Sequence, residues 1–173
     1  MQRHLFYLGV TLLLLCSPLL AAQENSKPII GRTELVCLLK WGIALKAKID
    51  TGAYFCSLHV FDIERIQGEP ERVRFRTVNA NGKVYTLEAP VERYIKVKSS
   101  FGQVKKRPAI RTRICLAGQE IEALVSLTDR SDMRFPMLIG RKILKDRVLV
   151  DPAFVRFKES ACCLRSSPLN SPR

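Results

Sequence analysis

Short runs of alternating apolar and polar residues constrain the fold of this chain more than any other feature. They begin near Ile29 and follow one another to the region of Phe157, with few residues between them. Alternation with a period of two places apolar side chains on one face of a strand, and frequent turn signals between such runs are typical of all-β domains. The candidate strands span residues 33–39, 44–49, 72–78, 84–89, 93–98, 104–115, 119–127, 137–138 and 147–150 with 155–157.

Glycine-containing dipeptides mark two of the turns between these runs. Asn81-Gly82 is a good hairpin turn because both residue types tolerate a positive φ angle. Ala117-Gly118 marks a second turn, and a brief helix is expected from about Gly140 to Leu144. The sequence therefore predicts an all-β domain with one short helix.

The first 22 residues have the pattern of a signal peptide. Arg3 and His4 form a short polar start, residues 5–20 are almost entirely apolar, and Ala21-Ala22 provide small residues for cleavage near Ala22. Export, most simply to the periplasm, is expected. An uncleaved membrane anchor and a lipoprotein attached at Cys16 stay open as alternatives, although the apolar run is short for a membrane span.

The remaining 151 residues have room for one domain with a modest core. We expect residues 23–28 to be a polar lead-in and residues 29–158 to form the domain. Residues 159–173 are rich in serine and proline, and a disordered tail is expected there.

The chain is strongly basic, with a formal net charge of +13. Removing the signal peptide takes away Arg3 and no acidic residue, so the mature charge is +12. One interpretation is attraction to an anionic partner, such as an acidic peptide or an anionic component of the cell envelope. The other is a solvated face of alternating strands. Nucleic acid is not expected as a partner, because the chain is predicted to be exported and has no recognised nucleic-acid motif.

Cysteine and histidine usage argues against a metal site. Five cysteines follow the signal peptide, and their odd number and irregular spacing leave the disulfide pairing open. The motif HExxH is absent, and His59 is the only histidine after residue 22. We therefore expect no metal and no cofactor. The five cysteines are Cys37, Cys56, Cys115, Cys162 and Cys163.

The residues most suited to catalysis are Asp50, Thr51, Gly52 and Ala53, which follow an apolar strand. In aspartic proteolysis two carboxylates face each other and share a proton, because two like charges in contact cannot both ionise cheaply. One carboxylate then activates water and the other protonates the substrate carbonyl. By itself, however, an Asp-Thr-Gly sequence at the end of a strand is also a common turn.

A second motif occurs ninety residues later, where Leu138-Ile139-Gly140-Arg141 leads into the predicted helix. Both motifs, in this order, resemble those of retropepsins. Further similar segments are Gly31-Arg32-Thr33-Glu34, Leu127-Thr128-Asp129-Arg130 and Val150-Asp151-Pro152. With them the chain resembles, from about Ile29 to Phe157, the bacterial retropepsin-like aspartic peptidase family that is often labelled an ATP-dependent zinc protease. Neither a P-loop nor a set of zinc ligands supports that label here.

The resemblance implies a retropepsin-like acid-protease barrel that carries half of an active site. The chain has one Asp-Thr-Gly, so a symmetric homodimer would be needed to bring two copies of Asp50 together on a peptide or protein substrate. The resemblance also implies that Thr51, Gly52 and Ala53 support the site. Asn81 and Gly82 would belong to a flap over the substrate groove, and Ile139 and Gly140 are assigned to the groove with them.

The chain departs from the family pattern directly after Ala53, where small hydroxyl residues are usual and Tyr54 and Phe55 stand instead. Bulky rings at this place could reshape or block the substrate pocket. The alternative to an aspartic endopeptidase is thus a catalytically silent module of the cell envelope that binds extended peptides. A thiol nucleophile formed by Cys56 and His59 is a weaker hypothesis, because positions three apart do not share a face of a strand.

Overall fold

A computed structural model describes residues 26–98, 102, 104–155 and 162. The signal peptide predicted at residues 1–22 lies outside the described residues, and so does the tail apart from residue 162. In chain order, the elements are β1 (Ile29–Ile30), β2 (Thr33–Leu38), β3 (Ile43–Asp50), β4 (Cys56–His59), β5 (Phe61–Ile66), β6 (Arg72–Val78), β7 (Val84–Pro90), β8 (Arg93–Lys98), β9 (Val104–Leu116), β10 (Gln119–Thr128), β11 (Met137–Gly140), α1 (Arg141–Leu144) and β12 (Leu149–Val150).

The main sheet closes on itself and forms a barrel. Its strands follow the order β10-β4-β11-β3-β2-β9-β8, and β10 also pairs with β9. Strand β3 lies between β2, which is antiparallel to it, and β11, which is parallel to it. The prediction of an all-β retropepsin-like barrel with one short helix is confirmed. Closure matters for the site because it holds the ends of β3 and β11 in a fixed register.

A three-stranded sheet, β5-β6-β7, packs beside the barrel and shares its core. Phe75 of β6 is fully buried and meets the ring of Trp41 edge-on, with 6.5 Å between the ring centroids. The hairpin between β6 and β7 is the one predicted at Asn81-Gly82. Its turn is held by the Asn79 side chain, which accepts hydrogen bonds from the backbone of Asn81 and Lys83.

Besides the two-residue strand β1, strands β4 and β5 escaped the sequence prediction. Strand β4 is buried over three of its four residues, so it shows no alternation. Strand β5 is mostly exposed and is irregular near Asp62, whose φ angle is +54°. Neither pattern has the period of two on which the prediction depended. The turn at Ala117-Gly118 and the helix after Gly140 lie where they were expected.

A disulfide joins Cys115 to Cys162, whose Cα atoms are 6.0 Å apart. Cys162 is buried with Cys115 and Cys37 in a small cluster of its own, and Cys37 is also disulfide-bonded. The expectation of a disordered tail is therefore corrected at residue 162, because a covalent bond fixes that residue to β9. Over the described residues, no helix is both long and apolar enough to span a membrane.

Candidate active site

Asp50 is the last residue of β3, on the face of the strand that points away from the core. Alternation along β3 buries Ala47 and Ile49 and leaves Lys46 and Lys48 exposed on the same side as Asp50. The Asp50 side chain is 25% exposed. The strand thus presents a carboxylate at its end, in line with two lysines.

The Asp50 carboxylate is held by the loop that follows it. Its Oδ1 atom accepts hydrogen bonds from the backbone N–H groups of Gly52, at 3.0 Å, and Ala53, at 3.1 Å. Its Oδ2 atom lies 3.4 Å from the Nζ atom of Lys48. Burial raises the pKa of Asp50, but the hydrogen bond from Ala53, the charge of Lys48 and the hydrogen bond from Gly52 together lower it below its usual value. Asp50 is therefore ionised at neutral pH in the single chain.

The loop itself is fixed from the side of α1. The guanidinium of Arg141 donates to the carbonyl oxygen of Gly52, at 3.1 Å, and the backbone N–H of Arg141 donates to that of Ala53, at 2.8 Å. The guanidinium of Arg141 also lies 5.5 Å from the centre of the Tyr54 ring. Thr51 is exposed beside this contact.

Gly140 is packed behind the loop rather than in a groove. It is the register partner of Asp50 in the parallel pair of β11 and β3. A Cβ atom at this position would lie 2.6 Å from the carbonyl oxygen of Phe55 and 2.8 Å from that of Tyr54. Ile139, its neighbour, is fully buried in the core. The assignment to the substrate groove is therefore corrected: the Ile139 side chain lies in the core, and Gly140 packs against the backbone of the loop.

The other residues assigned to the groove lie at the hairpin between β6 and β7. Gly82 lines an open cavity of about 330 Å³, together with Lys46, His59, Arg130 and Arg134. Asn81 is exposed at the tip of the hairpin. That the hairpin closes as a flap stays a prediction.

The two aromatic residues after Ala53 differ in how far they are exposed. Their rings meet edge-on, with 4.7 Å between centroids, but Tyr54 is 50% exposed whereas Phe55 is half-buried. Tyr54 lies beside Thr51 on the rim of a second open groove. The Asp50 side chain is nevertheless 25% exposed, so the two rings leave the carboxylate accessible.

The structure disfavours a nucleophilic Cys56. Burial raises the pKa of its thiol to about 11, which keeps the sulfur protonated at neutral pH. His59 is engaged elsewhere: its Nδ1 atom accepts a hydrogen bond from the backbone of Arg130, at 2.9 Å, and lies 3.5 Å from an Asp129 carboxylate oxygen. Cys56 is packed in the core, and the His59 side chain is only 15% exposed.

Sequence reasoning missed three basic residues near the site. Lys48 was not singled out, although its position two residues before Asp50 on the same strand places it on the same face. Neither Arg107 nor Arg130 was singled out as a site residue. Arg130 interacts electrostatically with both Asp50 and Arg107 across the barrel, and no local sequence signal indicates that meeting.

A family model described as the RimB-like retropepsin-like aspartic endopeptidase matches residues 29–159. The chain belongs to this family. The match confirms the resemblance drawn from Asp50-Thr51-Gly52-Ala53 and Leu138-Ile139-Gly140-Arg141, and it covers the whole barrel.

Individual relatives carry a different name. A protein of Shewanella halifaxensis named "Probable alpha-L-glutamate ligase" is 34% identical over 137 residues, which is 76% of this chain and 30% of the relative. A protein of Desulfotalea psychrophila with the same name is 34% identical over 143 residues, with the same coverage. The RimB-like chain thus spans about a third of the length of the curated relatives it matches.

A solved structure has the same fold. A Legionella pneumophila protein of unknown function is 31% identical and superposes with a TM-score of 0.65. The match covers 76% of this chain and 98% of the Legionella chain. The shared fold therefore accounts for almost all of the solved Legionella chain, whereas the match to the named ligases covers about a third of their length.

Proposed function

We propose that this RimB-like chain is an exported aspartic endopeptidase in which two copies of the chain supply the catalytic carboxylates. One observation carries the proposal: Asp50 lies at the accessible end of a barrel strand, held by two backbone N–H groups. In the part of the chain that the structure describes, no second carboxylate shifts the pKa of Asp50. Because the chain has one Asp-Thr-Gly, we infer that the second acid comes from another copy.

The chemistry follows from placing two Asp50 carboxylates in contact. They share one proton, and the pair titrates as a unit. The ionised carboxylate takes a proton from water as the water oxygen attacks the scissile carbonyl carbon, and the protonated carboxylate gives its proton to the carbonyl oxygen. When the tetrahedral intermediate collapses, the amide nitrogen leaves protonated and the peptide bond is broken. The Gly52 and Ala53 N–H groups favour the ionised form in each copy.

A surface for the second copy adjoins the carboxylate. Thr51, Tyr54, Leu149 and Val150 line an open groove of about 670 Å³ next to the Asp50 loop. Leu149 is 54% exposed, and its register partner Ile29 is 49% exposed. Exposed apolar side chains of this size favour an interface. A second copy is the occupant that would also complete the active site.

The charges beside Asp50 support an acidic peptide as the substrate. Lys46 and Lys48 are exposed on the strand that ends in Asp50, and Arg134 lines the adjoining cavity. The curated relatives are named as glutamate ligases, and a peptidase domain that acts on glutamate-containing chains fits beside such an activity. Opposite charge in a cleft raises the local concentration of such a substrate. An anionic component of the cell envelope is a further partner of the same charge.

The disulfide supports export. Bonds such as that between Cys115 and Cys162 form and persist in oxidising compartments, including the bacterial periplasm. This agrees with the signal peptide predicted for residues 1–22, which lie outside the described residues.

Peptide cleavage by the mature chain, compared with Asp50→Asn, tests the proposal. The matched control is Asp62→Asn, which removes an equal charge from a side chain that is 63% exposed and lies on β5, away from the groove next to the Asp50 loop. We expect the wild type and the control to cleave a glutamate-containing peptide, and Asp50→Asn to be inactive. Equal cleavage by Asp50→Asn refutes the role of Asp50. If the folded wild type and Asp50→Asn bind the peptide equally and neither cleaves it, the catalytically silent peptide-binding module replaces the proposal.

A further inference from the structure

A cavity of about 370 Å³ lies where residues of β4, β8, β9, β10 and α1 come together. It shares no lining residue with the cavity at the hairpin between β6 and β7, and it shares only Lys142 with the groove next to the Asp50 loop. Its volume is within the range of about 300–1,000 Å³ that is typical of small-molecule sites. Neither the proposed cleavage nor the pairing of two copies makes use of this cavity.

Part of the cavity lining is apolar. Cys56 and Ile143 are buried, and the side chains of Phe55 and Leu124 are half-buried. An apolar group placed against these side chains loses its contact with water, and so does the lining that it covers. The apolar lining therefore favours a ligand whose body is aliphatic or aromatic.

The rest of the lining is charged and has an excess of positive charge. Four cationic and two acidic side chains line the cavity, so four minus two leaves a net charge of +2. One cation, Arg111, is paired with both acids, at 2.5 Å and 2.6 Å. The acids are thus already used by a single arginine. The cationic residues are Arg93, Arg111, Lys142 and Arg147, and the acids are Glu92 and Glu122.

The other three cations form no ion pair within the part of the chain that the structure describes. The guanidinium of Arg93 lies 5.3 Å from the centre of the Phe55 ring, and the Nζ atom of Lys142 lies 6.0 Å from the centre of the same ring. Arg147 donates only to backbone carbonyl oxygens, with distances of 3.4 Å to Ile143 and 3.5 Å to Lys145. Arg93 and Lys142 therefore meet at one aromatic wall of the cavity with their charges unbalanced.

We propose that this cavity binds a phosphate monoester group that is joined to an apolar or aromatic body. A phosphate monoester carries nearly two negative charges at neutral pH and has three acceptor oxygens, which matches the net charge of the lining and its three unpaired cations. Guanidinium groups bind phosphate through paired hydrogen bonds. A single carboxylate would balance only half of the excess charge. The inference goes beyond the proposed function, because it needs neither cleavage nor a second copy.

Isothermal titration calorimetry of the mature chain with three small probes tests the chemistry of the site. Phenyl phosphate has both the ring and the two charges, inorganic phosphate lacks the ring, and benzoate has the ring with one charge. We expect a Kd below about 1 mM for phenyl phosphate and values at least about tenfold higher for the other two. No binding of phenyl phosphate at about 10 mM refutes the site. Equal Kd values for phenyl phosphate and benzoate refute the assignment to a phosphate group.

Arg93→Gln tests the location, since Arg93 is exposed and the fluorescence of Trp41 reports whether the variant is folded. The matched control is Arg113→Gln, which removes the same charge from a side chain on β9 that is 70% exposed and does not line the cavity. We expect the Kd of phenyl phosphate to rise at least about tenfold in Arg93→Gln, to recover in part in Arg93→Lys, and to stay within about twofold in Arg113→Gln. Equal weakening in Arg93→Gln and Arg113→Gln would mean general attraction to a basic protein, and would overturn the site.

Two further measurements identify the source of the phosphate group. If the wild type sediments with vesicles that contain phosphatidic acid, but not with phosphatidylcholine alone, and phenyl phosphate releases it, the group belongs to a lipid. If it does not sediment but binds phenyl phosphate, the ligand is a soluble molecule. A glutamate-containing peptide that displaces phenyl phosphate would instead assign the cavity to the peptide substrate and refute the inference. All these experiments measure binding alone, so an absence of peptide cleavage would refute the proposed function and leave this site standing.

Discussion

Gly140→Ala tests the role that the structure gives to the contact between β11 and the Asp50 loop. The new Cβ atom would lie 2.6 Å from the carbonyl oxygen and 2.7 Å from the carbonyl carbon of Phe55. Real Cβ atoms essentially never approach below 3.0 Å, and both obstacles are backbone. The loop and β11 must therefore move apart by several tenths of an ångström.

The magnitude follows from what this movement disturbs. Overpacking a closed contact costs about 1–3 kcal/mol. The hydrogen bonds from Arg141 to Ala53, at 2.8 Å, and from Lys142 to Tyr54, at 3.2 Å, span the same contact, and each contributes about 0.5–1.5 kcal/mol. When the loop moves, the overpacking strain falls but the hydrogen bonds weaken, so the two costs cannot simply be added. We expect Gly140→Ala to lower the free energy of unfolding by about 2–4 kcal/mol.

Urea denaturation followed by the fluorescence of Trp41 measures this loss. The control is Lys142→Ala, an exposed change on the adjacent helix that is expected to stay within about 0.5 kcal/mol of the wild type. Peptidase activity measured where Gly140→Ala is still folded is expected to fall as well, because Asp50 moves with the loop. A variant as stable as the control would refute the packing role of Gly140.

Two further predictions concern charge and covalent structure. Lys48→Met removes the ammonium group that favours the ionised form of Asp50, so we expect the pKa of Asp50 to rise and the acid limb of the pH–rate profile to move to higher pH. The control is Lys46→Met, which lies two residues farther from Asp50 on the same strand and is expected to leave the acid limb in place. Equal shifts in the two variants would contradict the role given to Lys48. Cys115→Ala removes the disulfide to Cys162 and is expected to lower the free energy of unfolding by about 2–5 kcal/mol. The difference in free energy of unfolding between the wild type and Cys115→Ala should shrink when both are unfolded in reductant. If reductant leaves it unchanged, the lost stability comes from packing and not from the disulfide.

Local patterns were sufficient to predict much of the barrel. The alternation of apolar and polar residues in β3, β6 and β9 directly indicates a strand with one buried face. The turns at Asn81-Gly82 and Ala117-Gly118 follow from the tolerance of glycine for a positive φ angle. The same reasoning failed at β4 and β5, because one is buried on both faces and the other is exposed on most of its length. Period-two signals exist only where one face is buried and the other is solvated.

The residues of the site also differ in whether the sequence alone could locate them. Asp50 and its loop are contiguous in sequence, so the motif located them. Arg130 is far from Asp50 in sequence and interacts with it electrostatically only because β10 pairs with β4 and β4 with β11. Ile139 shows the converse error: its motif is close to the site in sequence, yet strand parity turns its side chain into the core. The family resemblance indicated which residues to consider, but only the register of the paired strands shows which side chains lie on the side of Asp50.

Activity in mixtures of wild type and Asp50→Asn tests the central claim most directly. The claim is that each active site needs Asp50 from two copies of the chain. The two proteins are refolded together in equal amounts, and cleavage is measured per total chain at a concentration where light scattering shows dimers. If both carboxylates are required, activity falls to about one quarter of that of the wild type, because only a quarter of random dimers carry two intact copies. Activity of about one half, expected if each chain acts on its own, or of about three quarters, expected if one Asp50 per dimer suffices, would contradict the account.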